Sequence, residues 1–451
     1  MPIEPGPAVG IDAGLLSPVS AGADAVVADA AVAAALVRAE VALAQALGSL
    51  RVAPASAVAA VERAAAGLDL DPADLAAAAV RDGNPVGAVV ARLRDAVADP
   101  QAAAWVHRGA TSQDILDTAL AIVARSAIAV VVEDLDRVVA GLAALAARHR
   151  GTPAAARTLT QHAVPTTVGA RFADWLVQVA DARDELAGRA LPAQLGGAAG
   201  TLAALVEELG AEPVSRLPVE FARAAGLDPA ELPWHTRRTA VTRLGDALTR
   251  TTDALGRIAA DVATLARTEI GELAEGAGGG STAMPQKRNP VHSVLIRSAA
   301  LRAPLLAAEL HLAAANAVDE RPDGAWHAEW PTLRELLRLA LGAAAHAALL
   351  VEGLAVDTTA VARNLAATHG LIVSERLMRA LRPRLGVREL QGIVDRAAGG
   401  EDLAALLAAE PALAGLDVAA LLDPAGYLGL AVRFVDQALA RAAAPPSERN
   451  P

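Results

Sequence analysis

Apolar positions along this chain recur at helical rather than alternating spacing. Residues 23–47, ADAVVADAAVAAALVRAEVALAQAL, carry only Asp24, Asp29, Arg38 and Glu40 as charges, which predicts one long buried helix. Pro54 opens a second helical piece, and DPADLAAAAVRDGNP supplies an Asp-Pro start and a Gly-Asn-Pro stop, so a first helical domain is expected over residues 1–108. Beyond Ser112 the helical tracts lengthen, residues 114–150 and 165–189 among them, with few breakers before about Leu350. Such lengths fit an elongated central bundle, expected over residues 109–355. After Val356 the segments shorten, punctuated by Pro383, Gly399, Gly400, Pro411 and Pro424, and predict a smaller third helical domain over 356–451. The expected fold class is all-α, without a fixed-period repeat.

Composition sharpens this picture. The 451 residues are roughly three times a common single-domain length. Hydrophobic residues make up 54% but aromatics only 2%, so the apolar mass is Ala, Leu and Val, which suits close helix–helix contact. Strands would want more β-branched and aromatic side chains. A net charge of −11, with no basic run of five residues, disfavours nucleic acid as a partner. The absence of cysteine excludes disulfides, thiolate metal sites and a Cys nucleophile. The opening MPIEPGPAVG has no cationic-then-apolar pattern, so the cytoplasm is the expected compartment. The longest uncharged stretches, 339–351 and 190–206, fall short of a membrane span, and no membrane partner is expected.

Three segments carry candidate chemistry. In GAGGGSTAMPQKRNP, residues 276–290, glycines free the backbone before Ser281, whose alkoxide would be a strong base. Lys287 and Asn289 follow as cationic and neutral donors to an anion. A surface loop with a capping Ser has the same pattern. In WVHRGATSQDILDT, residues 105–118, Thr111, Ser112 and Gln113 precede a long helix, where N–H groups and the helix dipole favour a carboxylate. Simple N-capping by Thr111 or Ser112, with Asp114 in the first turn, fits equally. In RTLTQHAVPTT, residues 157–167, His162 is open to three roles: ligand, acid, or hydrogen-bonded core histidine. The glycine clusters at 276–280 and 195–200 follow no β-rich run, so a dinucleotide fold is rejected. His107, His162, His235, His292, His311 and His327 show no metal-binding spacing. No metal and no cofactor are expected.

In this order and separation, the three segments resemble the signature regions of the fumarase/aspartase superfamily, which includes adenylosuccinate and argininosuccinate lyases. GSTAMPQKRNP resembles its hallmark GSSxMPxKxNP, departing at Thr282 where a second Ser is usual. The resemblance covers essentially the whole chain and makes Ser281 the catalytic base, with Lys287 and Asn289 stabilising charge. It implies that His107, Thr111, Ser112, Gln113, Thr160, Gln161, His162, Thr282, Met284, Arg302 and Arg321 bind substrate. For Arg302 and Arg321, surface salt bridging is the competing reading. Trp326 and His327 either shape the pocket or simply pack. The resemblance further implies a homotetramer whose long central helices form the core, each site drawing its three segments from three subunits.

HRGATSQDILDT, TLTQHAVPTT, QLGGAAGTLA, DERPDGAWHAEW and DPAGYLGLAVRFVD are similar to the lactone-forming cycloisomerase branch, with adenylosuccinate lyase the nearest competitor. Lyases of the superfamily usually carry Thr-His in the second region, the His protonating the leaving group. Here Leu159 follows Thr158, in what is expected to be an apolar site, and His162 is expected one helical turn on. A carboxylate, with a pKa around 4, leaves unassisted, so Leu159 favours lactone chemistry on a tricarboxylate diene. A non-catalytic helical scaffold is the remaining alternative, and the intact Ser281, Lys287 and Asn289 argue against it.

Overall fold

The computed structural model describes residues 14–276, 279–280 and 284–444. Ser281 and Thr282, named above as site residues, lie outside the described residues. Helices α1 (Asp29–Ser49), α2 (Ala55–Ala66), α3 (Pro72–Asp82), α4 (Val86–Ala96) and the short α5 (Pro100–Ala103) lead into the 37-residue α6 (Ser112–Arg148). A hairpin, β1 (Pro153–Thr158) and β2 (Gln161–Thr167), is followed by α7 (Val168–Ala187), α8 (Ala203–Leu209), α9 (Ala211–Ala225) and α10 (Thr239–Leu265). Next come the two-residue strands β3 (Leu273–Ala274), β4 (Gly279–Gly280) and β5 (Arg288–Asn289). Helices α11 (Val291–Ala315) and α12 (Gly324–Glu352) precede β6 (Ala355–Val356) and α13 (Thr358–Ala366). The chain closes with α14 (Ser374–Leu381), α15 (Val387–Ala398), α16 (Leu403–Ala408), α17 (Val418–Leu422) and α18 (Ala431–Ala443). The fold is all-α, and its strands form only three two-stranded ribbons among the described residues: β1–β2, β3–β6 and β4–β5.

Several boundaries follow local chemistry. Asp71 caps α3 by accepting from the Ala73 N–H, Pro72 occupies the first helical position, and Gly83 ends the helix in the left-handed conformation. Helix α1 starts at Asp29 rather than Ala23, because Ala25–Val27 form a separate 3₁₀ turn and Ala28 is extended. The tract expected over 165–189 starts at Val168, since Pro165 belongs to β2.

The chain forms two compact units. One comprises residues 1–133, 185–253 and 298–345, the other 134–184, 254–297 and 346–451. The boundaries fall inside α6, α7, α10, α11 and α12. This is a partition in space, whereas 1–108, 109–355 and 356–451 is a partition along the chain. In the first unit, α1 packs on α2 and α9, and its Leu36, Leu43 and Leu47 are buried. In the second, Phe172 and Trp175 meet edge to face at 5.3 Å, and the Trp175 indole N–H donates to Asp261 at 3.0 Å. Helices α14 to α16 close over a cluster that includes Leu377, Leu390, Ile393 and Leu407. Close packing uses small residues: a methyl added at Gly141 would come within 2.5 Å of a Val351 side-chain carbon.

By length and composition, α1, α6 and α11 each contain a window apolar enough to cross a membrane, which corrects the expectation drawn from uncharged runs. One or two charges break such a run without making the window polar. In α1 and α6 more than half of that window is buried within the fold, in α11 28%.

Candidate active site

The first segment lies in the first unit. Thr111 is the residue before α6, and Asp114 at the third helical position reaches back to accept from the Thr111 N–H at 3.0 Å, one half of a capping box. Asp114 is fully buried and accepts from four further donors. These are Gly196 N–H (2.9 Å), Gly197 N–H (2.9 Å), Gln194 Nε2 (3.3 Å) and His235 Nε2 (2.8 Å). Because a carboxylate only accepts, His235 carries its hydrogen on Nε2. Asp114 thus ties the turn to the 194–197 loop and to His235.

Above this strut, the Thr111 hydroxyl accepts from Arg321 Nη1 at 2.6 Å, while Arg321 Nη2 donates to the Ala198 carbonyl at 2.7 Å. Two expected substrate groups, Thr111 and Arg321, are therefore in direct contact. Ser112 is half-buried at the helix start. Gln113 departs from expectation. It is fully buried, and its Nε2 donates inward to the His235 carbonyl (2.9 Å) and Asp117 (3.3 Å), so its position one residue past Ser112 turns it away from solvent. His107 has a left-handed backbone, φ +59°, and places Nδ1 2.7 Å from Glu40 Oε1. The turn around it is tight: at Gly109, φ +73°, any side chain would collide with Leu205.

A second buried hub lies one helical turn along α6. Arg238 donates to Asp117 (2.7 and 3.1 Å) and Glu329 (2.6 Å), and the Trp326 indole N–H donates to Asp117 at 2.9 Å. Trp326 is buried, so of its two expected roles it packs. Burial acts against the Arg238 charge, but Asp117 and Glu329 outweigh it and hold its pKa above the ordinary value. Burial also lifts the Glu329 carboxyl above its usual range despite Arg238. Asp117, Arg238 and Glu329 line a small pocket walled by Leu120, Ala121, Leu244 and Leu333. Its one guanidinium is already bound to two carboxylates, which suits it poorly to a polyanionic ligand.

The second segment is the β1–β2 hairpin of the second unit. Leu159 and Thr160 form its two-residue turn, with φ +48° and +73°. Leu159 is 95% exposed, and Thr160 and Gln161 are exposed beside it. The expectations of an apolar site at Leu159 and of a helical turn separating it from His162 are both corrected: the segment is a ribbon, and Leu159 is its tip. His162 pairs across the ribbon with Arg157. Burial, and next the Arg157 charge, hold the His162 pKa below the usual imidazole range, which favours a neutral ring. Arg157 Nη2 donates to Glu272 at 2.6 Å, and Glu272 also accepts from Arg171 and from Asn364. Burial pushes the Glu272 carboxyl up, but these partners outweigh it and hold it below its ordinary value. Glu272 immediately precedes β3, so it joins the second segment to the approach of the third.

In the third segment, β4 pairs with β5, Gly279 opposite Asn289 and Gly280 opposite Arg288. The Lys287 N–H donates to the Met284 carbonyl at 3.0 Å, which turns the chain between them. Met284 and Lys287 are exposed and Asn289 is half-buried. Glu275, at the base of the segment, accepts from the backbone N–H of His292 (3.1 Å) and Ser293 (2.9 Å) and from the Ser293 hydroxyl (2.6 Å), capping α11. Arg302 donates to Glu335 at 2.6 Å in an exposed ion pair, the salt-bridge alternative. Asp114 was expected in the first turn of α6 but not as its strut, and Glu40, His235 and Glu272 were not foreseen as partners of these segments. Glu40 left a trace, an acid amid the Ala and Leu of α1.

A family model described as Lyase matches residues 21–305, more than half of the chain. The chain belongs to this lyase family, within the fumarase/aspartase superfamily. Among curated members, nitrosuccinate lyase from Streptomyces davaonensis is 48% identical over 450 residues, covering 95% of each chain. The 3-carboxy-cis,cis-muconate cycloisomerase of Pseudomonas aeruginosa is 42% identical over 433 residues, covering 91% of this chain and 92% of that protein. The crystal structure of the 3-carboxy-cis,cis-muconate lactonizing enzyme from Pseudomonas putida superposes with a TM-score of 0.87 at 35% identity, over 96% of this chain and 100% of that one.

Proposed function

We propose that this lyase-family enzyme is a 3-carboxy-cis,cis-muconate cycloisomerase, converting the tricarboxylate diene to 4-carboxymuconolactone in the breakdown of protocatechuate through the β-ketoadipate route. The observation that favours this reading over amine- and water-releasing lyases is Leu159, exposed at the tip of a hairpin where the resemblance places their acid. Ring closure needs none: one substrate carboxylate attacks as an already ionised nucleophile, and the reverse step expels it unassisted. Electron density moves into a second carboxylate as an aci-carboxylate dianion. Lys287, Asn289 and the Thr111–Ser112 turn stabilise that charge, and Ser281 delivers a proton to the α-carbon. Gln113 has no part in this scheme, since its side chain faces the interior.

The 48% identity to a nitrosuccinate lyase favours a second reading, elimination of nitrite from a nitro-dicarboxylate. Nitrite, like a carboxylate, is a weakly basic leaving anion, so Leu159 is compatible with both. Purified enzyme incubated with carboxymuconate should consume the diene ultraviolet absorbance; persistence of that absorbance sinks the first reading.

The active unit in this proposal is a homotetramer in which three subunits complete each site. Helix α11 supports it with an exposed apolar stripe of Val294, Leu301, Leu305 and Leu312, spaced at sevens and fours along one face. Light scattering should give a species four times the 45.6 kDa chain mass, and a stable monomer would overturn the assembly.

A further inference from the structure

Helix α1 carries three charged residues, Asp29, Arg38 and Glu40, and only Glu40 is buried, with 0% of its surface exposed. Its Oε1 meets His107 Nδ1 at 2.7 Å. Its Oε2 is buried and has no hydrogen-bond partner among the described residues. An acid in this position is unfavourable for the fold, because a carboxylate oxygen has left water without full compensation. His107 adds a second cost: a side chain larger than glycine held at φ +59°, a conformation that L-residues avoid. Helix packing requires neither feature, since a Leu at position 40 would continue the row of Leu36, Leu43 and Leu47. Two costs meeting in one residue pair, at the start of the first segment, point to what the pair presents rather than to what it stabilises.

The chemistry of the contact is directional. A carboxylate only accepts, so the shared hydrogen belongs to His107 Nδ1, and Nε2 is the ring nitrogen left for a ligand. The His107 side chain is 18% exposed, so the ring is not sealed in the core. It precedes Thr111, whose hydroxyl already meets Arg321.

We propose that Glu40 is a positioning residue that fixes His107 through Nδ1–H, so that the ring, taking up a proton as substrate binds, donates its Nε2–H to a substrate carboxylate. The first segment thereby supplies an imidazole contact to substrate of its own, in addition to His162 of the second. The inference rests on reading the 105–118 turn as part of the substrate site.

Glu40→Gln keeps the shape and an acceptor but removes the charge. The melting temperature of the assembled enzyme should hold or rise, because an incompletely compensated buried carboxylate has gone. KM should rise about tenfold while kcat stays within about twofold, the loss of one charge-assisted contact to bound substrate. His107→Gln should raise KM at least as much, and the double variant should be no worse than His107→Gln alone, because Glu40 acts through His107.

With ¹⁵N-labelled histidine, the wild-type spectrum should show His107 protonated at Nδ1, and tricarballylate, a saturated tricarboxylate, should shift Nε2 selectively. Additive effects in the double variant, or a Glu40→Gln enzyme with altered melting but unaltered KM, would make Glu40 merely structural. Turnover and probe binding with no response at His107 would overturn this proposal alone. No probe binding and no turnover would overturn both it and the substrate reading.

Discussion

Replacing Asp114 with Asn should loosen the first segment more than any other single-atom change in it. Five N–H donors converge on this carboxylate, two of them on Oδ2 (Thr111 and Gly197) and three on Oδ1 (Gly196, Gln194 and His235). An amide has one acceptor oxygen, so in either flip its NH₂ must face donors. The less damaging flip sets it against the Thr111 and Gly197 amides. Hydrogen bonds to a charged group contribute about 1.5–3 kcal/mol each, so losing two costs about 3–6 kcal/mol. At about 1.4 kcal/mol per tenfold, local opening becomes about 10²–10⁴ times more frequent. Hydrogen–deuterium exchange read by mass spectrometry on fragments spanning 105–118 and 190–202 should accelerate by that factor, with exchange in the α14–α16 cluster unchanged. Exchange in those fragments within about threefold of wild type would show that Asp114 is not the strut described above.

Ser281→Ala should remove about 10²–10⁴-fold of turnover with fold and assembly intact, and a variant retaining half of wild-type activity would move the proton-transfer role elsewhere. Leu159→His should change stability by no more than about 0.5 kcal/mol, since the side chain is 95% exposed, and should give no gain in cycloisomerase turnover; a clear gain would mean that the leaving group needs an acid. The lowered pKa of His162 means that the fold favours its neutral ring, so this contribution is present above the unfolded imidazole value of about 6.5 and is lost as pH falls through it. His162→Gln should therefore narrow the difference in melting temperature between pH 5 and pH 7, and an unchanged difference would refute it. In kinetics, His162→Ala should raise KM while kcat holds, the behaviour of a binding group.

The helices were legible where local signals were complete: Asp71, Pro72 and Gly83 delimit α3 as their residue types require. The second segment was not. Its turn places Leu and Thr at positive φ, where Asn-Gly would have announced a hairpin, and Pro165 reads as a helix start while sitting in a strand. At the site, sequence located the turns but not the directions of their side chains. Thr111 and Gln113 are two residues apart in one small-polar run, yet one meets Arg321 and the other is buried against His235. Asp114 and His235 are 121 residues apart, a separation with no sequence pattern to expose it.

The most direct test of the cycloisomerase assignment offers carboxymuconate and nitrosuccinate together to one preparation and follows both by proton NMR. The diene signals should give way to those of 4-carboxymuconolactone while nitrosuccinate persists. Nitrite release with fumarate formation, and an unchanged diene, would contradict the assignment.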